Sequence, residues 1–424
     1  LVDALLARGR AADLREAEGL LDDLALRRFL SGKPPGASRG RVARLRERLE
    51  QIYDRMADGG NSTRGLNPAQ RVALLGEVRT LEREIADAWR REERGGTRRR
   101  GTHALGSRAA QTDYVHVWQG PAGVRALRRH GSEVHDAGRL LAADELRKHA
   151  LELQFHAHRV RATGSKNAAR ALARRMARLS AILLAPLGLT GPSGPRALRL
   201  VLDARLADLP WELLPTDFGP LAVARDVARI PAARLPTRPR QRGRGTRVIV
   251  SGERALPAIE REARHVAASG LVVRDASATR EAAREALMTC QTVHFAMHGV
   301  AAPHAPALGG VRLFDGWFTA SHLPARIAAD LVSLAACQTG APPGPAAQAW
   351  GALPHALLRA GTRWVLWTSG DVDDETTADL MSEFHPVSDL DQVPARLGQA
   401  LDTLIKRQGS AARLLPFRLS GGRA

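Results

Sequence analysis

QTVHFAMHG, residues 291–299, and ADLVSLAACQTG, residues 329–340, are the two stretches whose reading decides how this chain folds. Each is a short apolar run of strand type that closes on a small residue, a reactive side chain and a glycine. The first ends in His298 and Gly299, the second in Cys337 and, three positions on, Gly340. Apolar runs of this length, separated by helical pattern, read as buried parallel strands. Active sites of open parallel sheets gather just beyond the carboxyl ends of the strands. Neighbouring strands ending in His298 and Cys337 would set an imidazole beside a thiol at one rim. A cysteine nucleophile needs that arrangement, because a base must hold or take the thiol proton. Taken singly, a Cys is most often a small buried hydrophobe and a His a core residue. The matching strand ends and the glycines single out this pair. A glycine after a catalytic His lets its backbone N–H approach a developing oxyanion with no Cβ in the way.

Around these strands the pattern alternates. TRVIVSGE (246–253) and GLVVRDA (270–276) read as strands, and PAIEREARHVAAS (257–269) and TREAAREALM (279–288) as helices. VRLFDGWFTA (311–320) reads as a hairpin with Asp315-Gly316 as its tight turn. AAQAWGALPHALLRAG (346–361) is a helix stopped by Gly361, and RWVLWTS (363–369) is the next strand. Such alternation predicts an α/β fold, a mostly parallel sheet with helices on both faces. Upstream, TDYVHVWQG (112–120) and GVRAL (123–127) form a strand pair, residues 142–187 are helical, and RALRLVLD (196–203) is a further strand. The first 89 residues carry Leu and Ala at three- and four-residue spacing, which is helical. The glycine- and arginine-rich stretches 91–101 and 238–245 read as linkers. Three regions result: a helical region over 1–100, a non-catalytic region over 101–245 and a catalytic region over 246–424.

HFAMHG followed by LAACQTG resembles the CHAT domain, the bacterial caspase-like and separase-like cysteine peptidases. The 39-position gap between His298 and Cys337 is close to the caspase spacing, and AACQTG is a looser cousin of the caspase string. PWELLP (210–215) and LLPFRLSG (414–421) also fit the family, so the resemblance spans about residues 100 to 422. It implies a caspase-like catalytic half preceded by a pseudo-caspase half that lacks the catalytic pair. It further implies a Cys337–His298 dyad without a third member, with the N–H groups of Gly299 and Cys337 as oxyanion hole and no cofactor or metal. The acidic string Asp371, Asp373 and Asp374 would shape the pocket for the residue before the cut and favour Arg or Lys. The family's Leu-Trp before that string is displaced here to Trp367-Thr368-Ser369-Gly370. Helix capping is the other reading of these carboxylates. Residues 1–30 resemble the last unit of a tetratricopeptide array, and a hairpin packed on the next domain is the equal alternative.

Composition sets outer bounds. With 424 residues, 44% hydrophobic, the chain can build two or three ordinary cores. No apolar run approaches a membrane span and no signal-peptide pattern opens the chain. Leu1 is not an initiator, so the chain reads as a fragment or processed piece. Two cysteines, Cys290 and Cys337, cannot make a disulfide framework and suit a reducing cytoplasm. The net charge of +19 is nearly all arginine in an alanine-rich chain, a pattern that needs no partner, and aromatics are scarce at 4%. Charge alone still supports non-specific nucleic-acid contact.

The expected activity is therefore a cytoplasmic cysteine endopeptidase acting on a protein substrate after a basic residue. The helical N-terminus would bind a protein activator, and the family setting is regulated defence or cell death. The rival is a catalytically silent scaffold of the same fold that binds partners through its helices. Cys290 reads as packing, and His294 as a buried strand residue.

Overall fold

A computed structural model describes residues 1–31, 41–58, 67–93, 111–191, 194–203, 206–233, 243–251, 257–267, 270–302, 305–337, 339, 352–385 and 387–421. The chain begins with helices α1 (Val2–Arg8), α2 (Ala11–Ser31), α3 (Arg41–Asp58) and α4 (Pro68–Glu93). Strands β1 (Thr112–Gly120), β2 (Gly123–His130) and β3 (Glu133–Leu141) lead into α5 (Ala143–Thr163) and α6 (Lys166–Leu183). Next come β4 (Ala197–Leu202), β5 (Pro215–Thr216), β6 (Gly219–Pro220), α7 (Leu221–Ala224) and β7 (Asp226–Arg229). The second half opens with β8 (Thr246–Ser251), α8 (Pro257–Ala267), β9 (Leu271–Arg274), α9 (Arg280–Thr289), β10 (Thr292–Met297) and β11 (Gly299–Val300). It continues through β12 (Gly310–Leu313), β13 (Gly316–Thr319), β14 (Leu331–Ala335), α10 (Leu353–Ala360) and β15 (Trp364–Thr368). It closes with α11 (Asp374–Phe384), α12 (Val393–Gln408) and β16 (Phe417–Gly421).

One eleven-stranded sheet runs through both halves in the order β3-β2-β1-β4-β7-β16-β15-β14-β10-β8-β9. Pairing is parallel except for β1–β2, β2–β3 and β15–β16, so the expected mostly parallel α/β sheet is what forms. Every residue of β10 and of β14 is buried, as continuous apolar strands between two helical layers must be. On one face Ala296, Leu331 and Ala335 join the core of α5, α6, α8, α11 and α12. On the other, Val293, Phe295, Val332 and Leu334 meet α9, α10 and the end of α2. Side chains alternate between faces, so residues 294, 296 and 298 and residues 333, 335 and 337 belong to the α8–α11 side.

The PWELLP string works as a brace. Trp211 is fully buried and donates from Nε1 to the Leu206 carbonyl at 2.9 Å. Glu212 holds Arg229 of β7 through two bonds of 2.7 and 2.8 Å. Arg418 of β16 donates to the Asp208 carbonyl at 2.8 Å, which ties the LLPFRLSG string to the same place.

The N-terminal helices bury their apolar faces on the α/β body. Leu5, Leu6, Ala17 and Leu21 pack with Leu127 of β2, and Glu18 of α2 meets Arg129 at 3.1 Å and His116 at 3.4 Å. This helical segment fits both expectations for it, a tetratricopeptide-like unit and a packed hairpin. α3 and α4 instead cover the insert that follows His298: Leu49, Tyr53 and Leu81 pack on Ala302, Leu308 and Trp317. The hairpin turn is one residue earlier than expected. Leu313 pairs with Gly316, so Phe314 and Asp315 are its centre and Gly316 takes φ 125°. Gly361 does stop α10, at φ 123°. His304, Gly340, the loop 341–348 and most of both linkers lie outside the described residues. Among the described residues no helix is long and apolar enough to cross a membrane.

Candidate active site

β10 and β14 are parallel neighbours, with Ala296 opposite Ala335. His298 and Cys337 each lie two residues past that pair, at the carboxyl rim, on the α8–α11 side of the sheet. His298 is exposed and Cys337 is partly buried. Beyond His298 the chain turns into β11, and the main chain there is fixed: Arg312 N–H donates to the His298 carbonyl at 2.8 Å. That bond makes Gly299 and Val311 a non-hydrogen-bonded pair, so the Gly299 N–H points away from β12. A Cβ on Gly299 would overlap the Cys337 carbonyl oxygen, which is why only glycine fits here.

The thiol is met by the acidic loop rather than by the imidazole. Val372 N–H donates to Cys337 Sγ at 3.5 Å, and Sγ lies 3.6 Å from the Val372 carbonyl. Among the described residues no hydrogen bond joins His298 to Cys337. Burial pushes the Cys337 thiol above its ordinary value; the Val372 N–H opposes this, and the charges of Asp371 and Asp374 add to it. Thr339 fixes the following turn by accepting from Thr368 N–H at 3.2 Å, and Thr368 Oγ1 donates to the Ala336 carbonyl at 2.5 Å.

The three carboxylates after β15 separate by role. Asp373 is the N-cap of α11, accepting from Thr376 N–H at 3.1 Å, and pairs with Arg413 at 2.9 Å. The capping reading describes this residue. Asp374 sits in the first turn of α11, within electrostatic reach of His298; burial raises its carboxyl and His298 lowers it. Asp371 is exposed on the loop, close enough for its charge to act on the thiol.

A buried polar network lies one layer below, and the sequence did not reveal it. His294 faces Ser333 across the β10–β14 pair, four residues before His298 and Cys337 on the same face. His294 Nε2 is 2.7 Å from Glu262 of α8, and Ser333 Oγ is 3.0 Å from Nε2 of His385, the residue that caps α11. The two imidazoles meet edge to face at 5.6 Å. Burial drives His294 down to about 3 and His385 well below its usual value, and pushes Glu262 well above. Burial thus favours the uncharged form of each member, which for the Glu262–His294 pair means the proton on the carboxyl. His294 was legible as buried; its partners sit 32 and 52 positions from the residues they bind, too far for any local pattern. Cys290 ends α9 in the opposite core, as expected. His355 of α10 packs against Trp367 at 6.1 Å, and Trp367 donates to Ser420 Oγ at 2.9 Å. Among the described residues no cluster of His, Cys, Asp and Glu could hold a metal ion.

The family described as "CHAT domain" matches residues 169–404, more than half of the chain. The protein belongs to the CHAT-domain family. No curated protein matches it. Two solved structures of the Saccharomyces cerevisiae separase–securin complex, at 3.0 and 2.6 Å, are similar at 10% identity, with TM-scores of 0.50 and 0.47. Each covers 97% of this CHAT chain, which spans only 37% of the solved chain. The first of these likenesses shows a shared fold, the caspase-like sheet with flanking helices. The family match includes β4, the PWELLP brace, the His298 and Cys337 strand ends and the acidic string.

Proposed function

We propose that this CHAT protein is a cysteine endopeptidase in which Cys337 attacks the scissile carbonyl and His298 moves the protons. The observation that carries the reading is the pair of parallel, adjacent strand ends bearing His298 and Cys337, with Gly299 against the Cys337 carbonyl. With substrate in the groove, the exposed imidazole takes the thiol proton and later gives it to the leaving amine. The Gly299 N–H, free of the β12 ladder, and the Cys337 N–H stabilise the oxyanion. Asp371 receives the basic side chain of the residue before the cut, because it is exposed on the loop and its charge reaches the Cys337 thiol, while Asp373 caps α11 and Asp374 lies within electrostatic reach of His298. The substrate is a protein. The helices α3 and α4, seated on the insert after His298, are where an activating protein would act on the catalytic turn. A regulated defence or cell-death role follows from the family alone.

The raised thiol, bonded to Val372 rather than to His298, favours one alternative, a silent scaffold of the same fold. A peptide library separates the two. Cleavage after Arg or Lys that falls by at least about a thousandfold in both Cys337→Ala and His298→Ala, and is kept in Cys290→Ala, is the expected result. Cleavage that survives Cys337→Ala would overturn the assignment. A folded protein that cuts no peptide and alkylates Cys337 no faster than Cys290 is the scaffold.

A further inference from the structure

The α5–α6 hairpin takes no part in the rim chemistry, and its charge departs from that of the chain. Across the hairpin, Ala143 to Leu183, nine Arg and Lys stand against three acids, Asp144, Glu145 and Glu152, and past the first turn of α5 against Glu152 alone, whereas the whole chain has 63 Arg and Lys against 44 Asp and Glu. Arginine-rich composition adds cations everywhere; it does not by itself remove carboxylates from one face. On α6, Ala171, Arg174, Arg175 and Arg178 recur at helical spacing, and with His156 of α5 they line a depression of about 420 Å³. Arg175 pairs with Glu152 at 2.9 Å. Among the described residues Arg174 and Arg178 have no hydrogen-bond or ion-pair partner. The field of Arg178 reaches the neighbouring ring: burial and then Arg178 hold His149 below its ordinary value. Nδ1 of His156 is closed off from solvent without a hydrogen-bond partner. Next to it Phe155 is 58% exposed, with its ring 5.4 Å from that of His156 and Arg159 above it at 5.7 Å.

We propose that this face binds the phosphodiester backbone of a single-stranded nucleic acid, with phosphates in the arginine-lined depression and a base stacked on Phe155. Guanidinium forks match phosphate oxygens in two-point contacts, which ammonium groups cannot do. Arg147 and Lys148 stand near one end of α5 and Arg159 and Arg161 near the other, with Arg170, Arg174, Arg175 and Arg178 along α6, so the cations spread over about 20 Å and suit an extended polyanion better than a compact one. An exposed aromatic ring among cations favours a strand with bases over an acidic peptide. One ring and a row of guanidiniums read no sequence, so binding is non-selective and falls steeply with salt. The proposal stands whether or not the rim is a working peptidase.

The test is fluorescence anisotropy with the whole chain and a labelled oligodeoxythymidylate of about 12 nucleotides, titrated at several salt concentrations. Arg174→Glu with Arg178→Glu should weaken binding at least about tenfold and reduce the log–log salt slope by about 1.4. Arg10→Glu with Arg15→Glu, which changes the net charge equally on exposed residues of the N-terminal region, should weaken it by less than about twofold. Phe155→Ala should cost about fivefold or more. Arg174→Gln with Arg178→Gln repeats the test without charge reversal, and circular dichroism confirms that each variant is folded. Three results would each overturn the proposal: no wild-type binding at low salt, equal losses in the two arginine pairs, or polyglutamate competing as well as unlabelled oligonucleotide.

Discussion

Near the middle of the sheet Glu212 and Arg229 meet as ions, whereas four strands away Glu262 and His294 meet as neutral partners. Both carboxyls are almost completely buried. Burial alone would raise each, but Arg229 with its two bonds holds Glu212 below its ordinary value. Glu262 has no such contact: its near partner is an imidazole that burial keeps uncharged, and the charge of Asp374 raises it further. The same contrast runs through both halves. Asp113 in β1 is held by Arg128 and Arg225 at 2.7 and 3.1 Å, while the layer under Cys337 is Ser333, His294 and His385. Charge is locked into ion pairs around Asp113 and Glu212, whereas directly beneath Cys337 burial disfavours the charged forms of His294 and His385. An uncompensated charge under the thiol would act on it through a poorly screening medium.

The sharpest way to break this comparison is to remove each carboxyl. Glu212→Ala strands Arg229 beside Arg418 and should cost about 3–5 kcal/mol, since the cation left behind is buried without compensation. Glu262→Ala removes one neutral hydrogen-bond partner and should cost about 1–3 kcal/mol. Urea unfolding of both variants measures the difference. Equal losses would mean that Glu262 and His294 are an ion pair after all.

The second prediction concerns pH. His385 is depressed in the folded state, so its contribution to stability is present above its unfolded value of about 6.5 and is lost as pH falls below it. The Glu262–His294 pair adds no slope between about 4.5 and 6.5, because one proton is bound to it in both folded and unfolded chains there. His385→Asn should therefore flatten the fall in stability between about pH 6.5 and 5 by up to about 1.4 kcal/mol per pH unit. Thermal melts of both proteins across this range check it. Identical slopes would mean that His385 charges in the folded chain.

What the sequence disclosed follows from how local each signal is. The strand ends at His298 and Cys337 were legible because continuous apolar runs and terminal glycines are local patterns. The helix stop at Gly361 was legible for the same reason. β3, EVHDAGRLL, was missed, since its alternation is blurred by charged and small residues and its Gly138 takes a positive φ. LLPFRLSG was noticed, but nothing local tells that β16 inserts between β15 and β7, antiparallel to one and parallel to the other. The acidic string was read as three equivalent candidates. Its division follows from Arg413, 40 positions away, and from the fold of the rim.

The smallest expected effect tests that division. Asp371 and Asp374 both hold the Cys337 thiol up, so neutralising either lowers it and leaves more thiolate at neutral pH. Asp371→Asn should therefore speed alkylation of Cys337 by iodoacetamide, by about threefold to tenfold, even as it slows cleavage after arginine. The two readouts move in opposite directions because a basic substrate side chain does what the substitution does: it cancels the charge next to the thiol. Asp373→Asn should leave alkylation unchanged, since its carboxylate is bound by the α11 N-terminus and Arg413. It should cost only about 1 kcal/mol of stability, the usual worth of an N-cap. Alkylation rates against pH for the wild type and the two single variants give the comparison. If Asp373→Asn shifted the profile as far as Asp371→Asn, the loop would be one diffuse acidic field with no residue set apart for the substrate.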